Sequence, residues 1–475
     1  MLLDELTEEE ALMESLQGTG DSYQLIVTRR NASEILLLQS GSGWALPRVE
    51  IQQQQRVAEH LTSEVGREWG IEAYCLFVPT LQTSGRNGEA KCAVMESARH
   101  NDKAPAGTYW MPPSVATSCG DAEEAGAIRE AIEELDSYSR GERPGPFARP
   151  GWLRELFSWT QEQVAPLGLR VTGGFRQLNA SPTFSLIRLE TDARALWFKA
   201  TGEPNSHELP VSLLLARLFA GHVPRVLGVH PSWNGWLSAE ASGTALDEIS
   251  DFSAWERVAE ALAELQIASI GKGAELLDGK CKDLRLAEIA KFIDPFLARM
   301  AEFMAAQEKQ SPAPLANSEL ASLGEGLKEA CSLLQSLAVP DTIGHIDFNP
   351  GNILVSSDRC VFLDWAEGCI TNPVITFEYL RRHMERGGVK EPAADARLSA
   401  AYVRPWAAFY SPDELRRAMA TAPPVAVFVH AIAGDAWRTL DPVSNPTLAG
   451  YFRSLTRRIY HDAVRAGERS ELCLD

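Results

Sequence analysis

His345, Asp347 and Asn352 stand at the spacing H-x-D-x-x-x-x-N, inside the run Ile343-Gly-His-Ile-Asp-Phe-Asn-Pro-Gly-Asn-Ile-Leu-Val355. Two short apolar runs follow, Ile353 to Val355 and Val361 to Leu363, around the turn Ser356-Ser357-Asp358; the second ends on Asp364. These types suit phosphoryl transfer, which asks for positioning and charge neutralisation more than for covalent help. Asp347 sits where a carboxylate can orient an acceptor hydroxyl and take its proton. His345 stands beside it as the second catalytic candidate. Magnesium wants hard oxygen ligands; Asn352 offers an amide oxygen and Asp364 a carboxylate. A tight hairpin brings both to one end of the strands. Each residue alone reads as an ordinary loop or strand-end polar group, so the constellation carries the argument.

The elements around this motif change character along the chain. Phe184 to Leu189 and Ala195 to Phe198 read as paired strands around Glu190-Thr191-Asp192-Ala193. Glu208 to Phe219 reads as a helix, with Pro210 tolerated near its start. Val223 to Val229 and Gly235 to Glu240 read as further strands. From Ser253 onward helices dominate. Ser253 and Glu256 have capping-box spacing, and Trp255, Val258, Leu262 and Leu265 form one apolar stripe.

The His345–Asp364 segment resembles the catalytic and metal-binding region of the aminoglycoside-phosphotransferase and choline-kinase-like superfamily, whose fold is related to protein kinases. The resemblance covers roughly residues 165–475. It implies a β-rich N-lobe and hinge over 165–245 and a helical C-lobe over 246–475. It also implies a strand lysine that holds nucleotide phosphates and a helical glutamate that holds the lysine. Lys199, ending Ala195-Leu-Trp-Phe-Lys199, and Glu208 fill those places. Backbone groups near Ala239 to Ala241 would hold the adenine edge, and Gly243 would let the chain turn away. ATP and Mg²⁺ are the implied cofactors; a hinge that reads the base through backbone groups suits GTP as well. A small-molecule hydroxyl compound is the implied acceptor. Two departures stand out. The phosphate-covering segment, Gln177 to Ser185, contains no glycine, leaving Ser181, Thr183 or backbone amides to meet phosphate. Where many relatives carry an acid after Asn372-Pro373, this chain has Thr376.

The first third is different. Residues 2–16 read as a short acidic helix, and 1–20 is set apart as an N-terminal helix. Tyr23 to Thr28 and Ile35 to Gln39 read as a hairpin. Gln53 to Trp69 reads as a helix closed by Gly70, Tyr74 to Val78 as a strand, and Glu123 to Leu135 as a helix. Gly141 to Gly151, with three prolines, reads as a linker, and Trp152 to Val164 as a helix. Residues 21–140 resemble a Nudix domain through Ile35-Leu-Leu-Leu-Gln39, Trp44-Ala-Leu-Pro47 and Thr62-Ser-Glu-Val-Gly-Arg-Glu-Trp-Gly-Ile71. That family hydrolyses nucleoside diphosphate derivatives with a glutamate-rich, metal-binding helix. Here Val49, Gln55, Ser63 and Arg67 replace box residues, and only Glu64 and Glu68 remain. They share a helix face, but Arg67 between them opposes a cation. The domain is expected to be an inactive scaffold or sensor, separable from the rest, with Trp44, Trp69 and Trp110 as core residues. The fold class expected for the whole chain is α+β: a Nudix-like α/β/α domain at 21–140, a linker and helix at 141–164, then a bilobal kinase-like fold.

Bulk properties narrow the partners. The net charge of −19 argues against nonspecific nucleic-acid or membrane surfaces. No apolar run is long enough for a membrane-spanning helix, and eight scattered cysteines fit a reducing cytoplasm. Residues 1–150 hold 24 acidic and 13 basic side chains, whereas 371–475 hold 12 and 14. A C-terminal wall of that balance suits a neutral or weakly charged acceptor better than a polycationic aminoglycoside, although Glu367 and Glu378 are available for a small cationic pocket. Two other functions compete with the kinase: a nucleotide-binding regulatory pseudoenzyme, favoured by the glycine-free loop, and residual Nudix hydrolysis.

Overall fold

The computed structural model describes residues 21–40, 43–51, 56–78, 91–99, 103–119, 122–389 and 391–472. The acidic helix expected at 2–16, and Gln55 of the box, lie outside them. The chain divides into two compact units. One comprises residues 1–209 and 226–240, the other 210–225 and 241–475. No described helix is long and apolar enough to cross a membrane.

Among the described residues the first unit contains two sheets. The larger has seven strands: β1 (Asp21–Arg29), β2 (Glu34–Ser40), β3 (Gly43–Ala45), β4 (Arg48–Ile51), β5 (Ala73–Phe77), β6 (Lys91–Ser97) and β7 (Thr108–Met111). Its main path runs β3-β2-β1-β6-β5, with β1 and β6 parallel. Between β1 and β2, Arg30, Asn31 and Ala32 all take positive φ, which makes the hairpin turn. Alternation along β1 divides the sheet's apolar surface. Tyr23, Leu25 and Val27 join one core cluster and Ile26 the other, as period-two side chains must. Helix α1 (Val57–Trp69) closes the first face with Ala58, Leu61 and Val65. It ends on Gly70 at φ 63°, whose N–H bonds Gly66 O, so a left-handed residue without a Cβ stops the helix as expected. Helices α2 (Pro113–Cys119) and α3 (Ala122–Ser139) follow; α3 brings Ile128, Ala131 and Leu135 to the second cluster.

The same cluster continues into the second sheet. Helix α4 (Trp152–Val164) leads to β8 (Val171–Ala180), β9 (Ser185–Thr191), β10 (Leu196–Ala200), β11 (Val226–Val229) and β12 (Gly235–Ala239), ordered β11-β12-β10-β9-β8 and antiparallel throughout. Ile26, Tyr74 and Leu135 share this apolar core with Trp152, Ile187, Phe198 and Leu237. The segment 141–151 is therefore not a solvated linker. Phe147 and Ala148 are buried, and the Phe147 ring lies 5.1 Å from Trp152 and 5.2 Å from Trp233. Its prolines and glycines mark irregular backbone; one aromatic side chain is enough to pull that backbone inside. Glu96 adds a polar tie, accepting from Gly151 N–H at 2.6 Å and from the Tyr74 hydroxyl.

The second unit is mostly helical. Helix α5 (Glu208–Leu218) begins in the first unit and runs into it. After β13 (Thr244–Ala245), helix α6 (Ser253–Ala268) buries Trp255, Val258, Leu262 and Leu265. The expected capping box is not formed. Asp251 takes both bonds of Ser253, from its N–H at 3.0 Å and its hydroxyl at 2.6 Å, while Glu256 pairs with Arg397. A nearer acceptor outside the helix wins. Further on come α7 (Gly273–Asp278), β14 (Lys282–Asp283), α8 (Leu286–Ile289), α9 (Ile293–Ala305) and α10 (Asn317–Ser336). Then follow β15 (Thr342–His345), β16 (Ile353–Val355), β17 (Cys360–Phe362) and β18 (Gly368–Thr371). The chain ends with α11 (Pro373–Arg386), α12 (Ala394–Trp406), α13 (Pro412–Ile432), α14 (Ala436–Thr439) and α15 (Pro446–Leu472). Strands β13-β16-β17 form one small sheet and β14-β18-β15 another. Gly243, at φ 136°, lets β13 reach β16; a Cβ there would lie 2.9 Å from Val355 O.

Candidate active site

The acidic loop is held from both sides. His345 ends β15 and is buried; its N–H donates to Thr376 Oγ1 at 3.0 Å. Thr376, the residue found where an acid was expected, thus fixes the backbone that leads to Asp347. The His345 ring packs 4.9 Å from Trp365, and its Nε2–H donates to Leu363 O at 3.0 Å. A carbonyl only accepts, so Nε2 carries the proton, and burial keeps the ring neutral by lowering its pKa. With 1% of its surface exposed, His345 touches no acceptor. Its ring ties the loop to the residue before Asp364, a buried place in contrast to the catalytic part expected of it.

Asp347 is exposed. Its carboxylate accepts from Asn349 Nδ2 at 3.0 Å and Asn352 Nδ2 at 3.3 Å. Asn352 turns its nitrogen to Asp347, which leaves its amide oxygen for another partner. The Leu363 N–H bonds Asn352 O at 2.8 Å, extending the ladder Ile353↔Phe362 by one step. That step brings Asn352 and Asp364 to the same end of the β16–β17 hairpin. Asp364 is exposed and left-handed, at φ 58° and ψ 63°. A non-glycine residue held so costs about 1–3 kcal/mol, and such strain gathers at functional sites. Asp347, Asn352 and Asp364 are hard oxygen donors, which fits Mg²⁺. Among the described residues no group of three or more His, Cys, Asp or Glu could hold a metal.

Within the first unit, Lys199 on β10 donates to Glu208 Oε1 at 2.5 Å, and both are largely shielded from solvent. The expected pair is formed. β10 sits between β9 and β12, which aligns Lys199 with Leu186 and Trp236. Ala239 ends β12, the Glu240 N–H bonds Ala195 O at 3.3 Å, and the boundary between the units falls between Glu240 and Ala241. Ser181 closes the β8–β9 turn: its N–H bonds Phe184 O at 2.9 Å and its Oγ accepts from Phe184 N–H at 3.0 Å.

Sequence reasoning missed the side chains that neighbour Asp347. His383 and His430 both feel its carboxylate. Burial, helped by Arg386, pulls His383 down to about 4, and burial also lowers His430. Arg386 Nη2 lies 3.5 Å from His383 Nδ1, and His430 Nε2 shares a 2.8 Å hydrogen bond with the Tyr451 hydroxyl. A cavity of about 330 Å³ opens beside Pro350 and His383, with Asp247, Phe252, Trp255 and Glu391 in its walls. The two acids available for a cationic pocket are engaged. Glu378 is buried between Arg381 and Arg382, at 2.7 and 2.6 Å, and Glu367 binds Lys282 at 2.6 Å. These neighbours come from α11, α13 and α15, too far apart in sequence to leave a local spacing signal.

A larger cavity, about 630 Å³, lies over α1 and β8 and holds none of the expected site residues. On α1, Arg67 reaches Glu64 at 2.6 Å and Glu68 at 2.5 Å. Its hydrogen bond holds the Glu64 carboxyl below its ordinary range.

Residues 206–430 match the model of the phosphotransferase enzyme family. Several solved structures are similar at low identity. An ethanolamine kinase from Plasmodium vivax is 15% identical, with 64% of this chain and 85% of that one covered and a TM-score of 0.42. A choline/ethanolamine kinase family protein from Mesorhizobium loti is 18% identical, covering 65% and 94%, with a TM-score of 0.42. A macrolide 2'-phosphotransferase from Brachybacterium faecium is 14% identical, covering 60% and 95%, with a TM-score of 0.38. Comparison with curated proteins finds no match.

Proposed function

We propose that this protein transfers the γ-phosphoryl group of ATP, with Mg²⁺, to a hydroxyl group of a small molecule. The observation that carries the reading is the Asp347–Asn352 loop facing a hairpin that ends on a strained, exposed Asp364. Asp347 orients the acceptor hydroxyl and takes its proton. The hydroxyl oxygen then bonds the γ-phosphorus as its bond to the bridging oxygen breaks, and ADP leaves. Asn352 and Asp364 would hold magnesium, which supplies charge neutralisation for the phosphates. Lys199, held by Glu208, binds phosphate oxygens. Backbone groups of Ala239 and Ala241 hold the base edge, which suits ATP and GTP alike. Ser181 contributes its hydroxyl to the phosphate-covering turn.

The acceptor is a neutral or only weakly charged hydroxyl compound. A polycation needs unpaired carboxylates to offset its desolvation. Near Asp347 stand two neutral histidines and Arg386, while Glu367 and Glu378 are already paired. Residues 21–140 act as a Nudix-like scaffold rather than a hydrolase, because Arg67 neutralises both remaining box carboxylates. Turnover of ATP with magnesium against neutral polyols, hydroxy acids, nucleosides, amino alcohols and aminoglycosides tests the reading. Low-KM phosphorylation of a polycationic aminoglycoside would overturn the acceptor class and leave the transfer chemistry standing.

A further inference from the structure

We infer that the segment covering the nucleotide phosphates is a fixed element, clamped from the N-terminal part of the chain, with Gln177 and Gly145 as its positioning residues. The inference rests on the reading that residues 177–185 cover those phosphates. A glycine-rich flap is mobile and must be ordered when nucleotide binds, an entropic cost. This segment has no glycine, and two contacts replace that freedom with rigidity.

The first contact is at the base of the hairpin. Gln177 is 1% exposed, and its carboxamide meets the backbone of Cys75 on β5. The Cys75 N–H donates to Gln177 Oε1 at 2.7 Å, and Gln177 Nε2 donates to Cys75 O at 3.0 Å. Strand β5 ends the path of the larger sheet, so these backbone groups lie on its edge. One amide side chain completes the ladder where a further strand would stand, because it alone offers one donor and one acceptor side by side. Both strands are irregular here: β5 shifts register between Cys75 and Phe77, and β8 between Gln177 and Asn179. The two sheets meet at this bond pair.

The second contact is at the tip. The Phe147 N–H donates to Pro182 O at 3.2 Å. Phe147 is anchored among Trp152, Phe198 and Trp233, so the turn is tied to the deepest part of the core. Gly145 must be glycine for this approach. A Cβ there would lie 2.8 Å from Pro182 Cβ and 2.8 Å from Tyr138 Cε1. On its other side the turn meets Gly202, where a Cβ would come within 2.5 Å of Thr183. The segment 141–151 thus works as a strap across the turn.

Two experiments on the full-length protein test the clamp. In hydrogen exchange, the amides of Ser181 and Phe184, bonded across the turn, should exchange slowly without nucleotide and gain little protection when ATP and magnesium are added. Fast exchange that slows strongly on nucleotide binding would overturn the inference. In kinetics, Gln177→Leu and Gly145→Val should each raise the nucleotide KM by about tenfold, with kcat and the acceptor KM changed far less. Arg176→Ala removes an exposed ion pair with Glu59 next door and should leave the nucleotide KM unchanged. If Gln177→Leu does not fold, the exchange measurement on the wild type decides alone. A wild type that turns over normally, with unaltered nucleotide KM in both variants, overturns the clamp. A wild type that binds no nucleotide overturns both the clamp and the kinase reading.

Discussion

Two sets of oxygen donors in this chain have motif spacing, and they differ in the side chains that meet their carboxylates. On α1, Glu64 and Glu68 share a helix face, but Arg67 bonds both. On the catalytic loop, Asp347 is met by the amides of Asn349 and Asn352, and Asp364 stands exposed on strained backbone. An amide donor orients a carboxylate without cancelling its charge; a guanidinium does both. The contrast teaches that carboxylate spacing is half of a metal-site argument. The other half is the charge of the side chains within one helical turn.

The largest effect expected comes from removing the N-terminal part. A vestigial, separable hydrolase domain would be dispensable, but Ile26, Tyr74 and Leu135 share a core with Phe198 and Trp233. Deleting residues 1–140 should therefore yield aggregated protein without transfer activity. Soluble protein of full activity would show that the shared core is unimportant. Next comes Asp347→Ala, expected to lower kcat on the order of 10²–10⁴-fold while nucleotide binding survives. Asp364→Asn keeps a residue that tolerates the left-handed backbone and removes one charge. Magnesium-dependent nucleotide affinity, measured by calorimetry, should fall by roughly tenfold or more; equal affinities in wild type and variant would remove Asp364 from the metal site.

Smaller effects sharpen the other half of the comparison. Arg67→Glu frees Glu64 and Glu68, so α1 should gain weak, millimolar-range binding of divalent cations. It should not gain hydrolysis of nucleoside diphosphate derivatives, because Ser63 and Gln55 still interrupt the box. Phosphate release above background would mean that Arg67 alone silences the domain. The smallest effect concerns pH. His383 and His430 have folded pKa values below the roughly 6.5 of an unfolded chain. The unfolded state binds more protons, so stability is full above that pH and is lost as pH falls, for His383 through about 4. Melting temperature should drop by a few degrees, roughly, between pH 6.5 and 5; a flat or rising profile there would contradict the buried, neutral rings.

Much of the candidate site was legible because its residues are local in sequence. The motif from His345 to Asp364 spans a strand, a loop and a hairpin, so its spacing survives in one dimension. Lys199 and Glu208 lie nine residues apart, at a strand end and a helix start, and were found the same way. Gly70 was legible as a helix stop for the same reason. What stayed hidden depends on convergence. Gln177 meets Cys75 across 102 positions, and His383 and His430 come within electrostatic reach of Asp347 from separate helices. The role of 141–151 was misjudged because glycine and proline report backbone irregularity and say nothing about burial. Phe147 supplies the burial, and a single aromatic has no periodicity to reveal it. His345 was given a catalytic part on type and position alone; its enclosure by Trp365 and Phe348 could be seen only in three dimensions.

The most direct test of the central claim follows phosphorus in wild-type protein and Asp347→Ala, with and without magnesium. Phosphorus NMR of ATP incubated with pooled hydroxyl compounds resolves ADP, free phosphate and any new phosphate ester. The account predicts an ester signal that appears with ADP, requires magnesium, and falls by orders of magnitude in the variant. Ester formation that is equal in both proteins, or wild-type protein that yields no ester from any neutral, anionic or cationic hydroxyl compound, would contradict it.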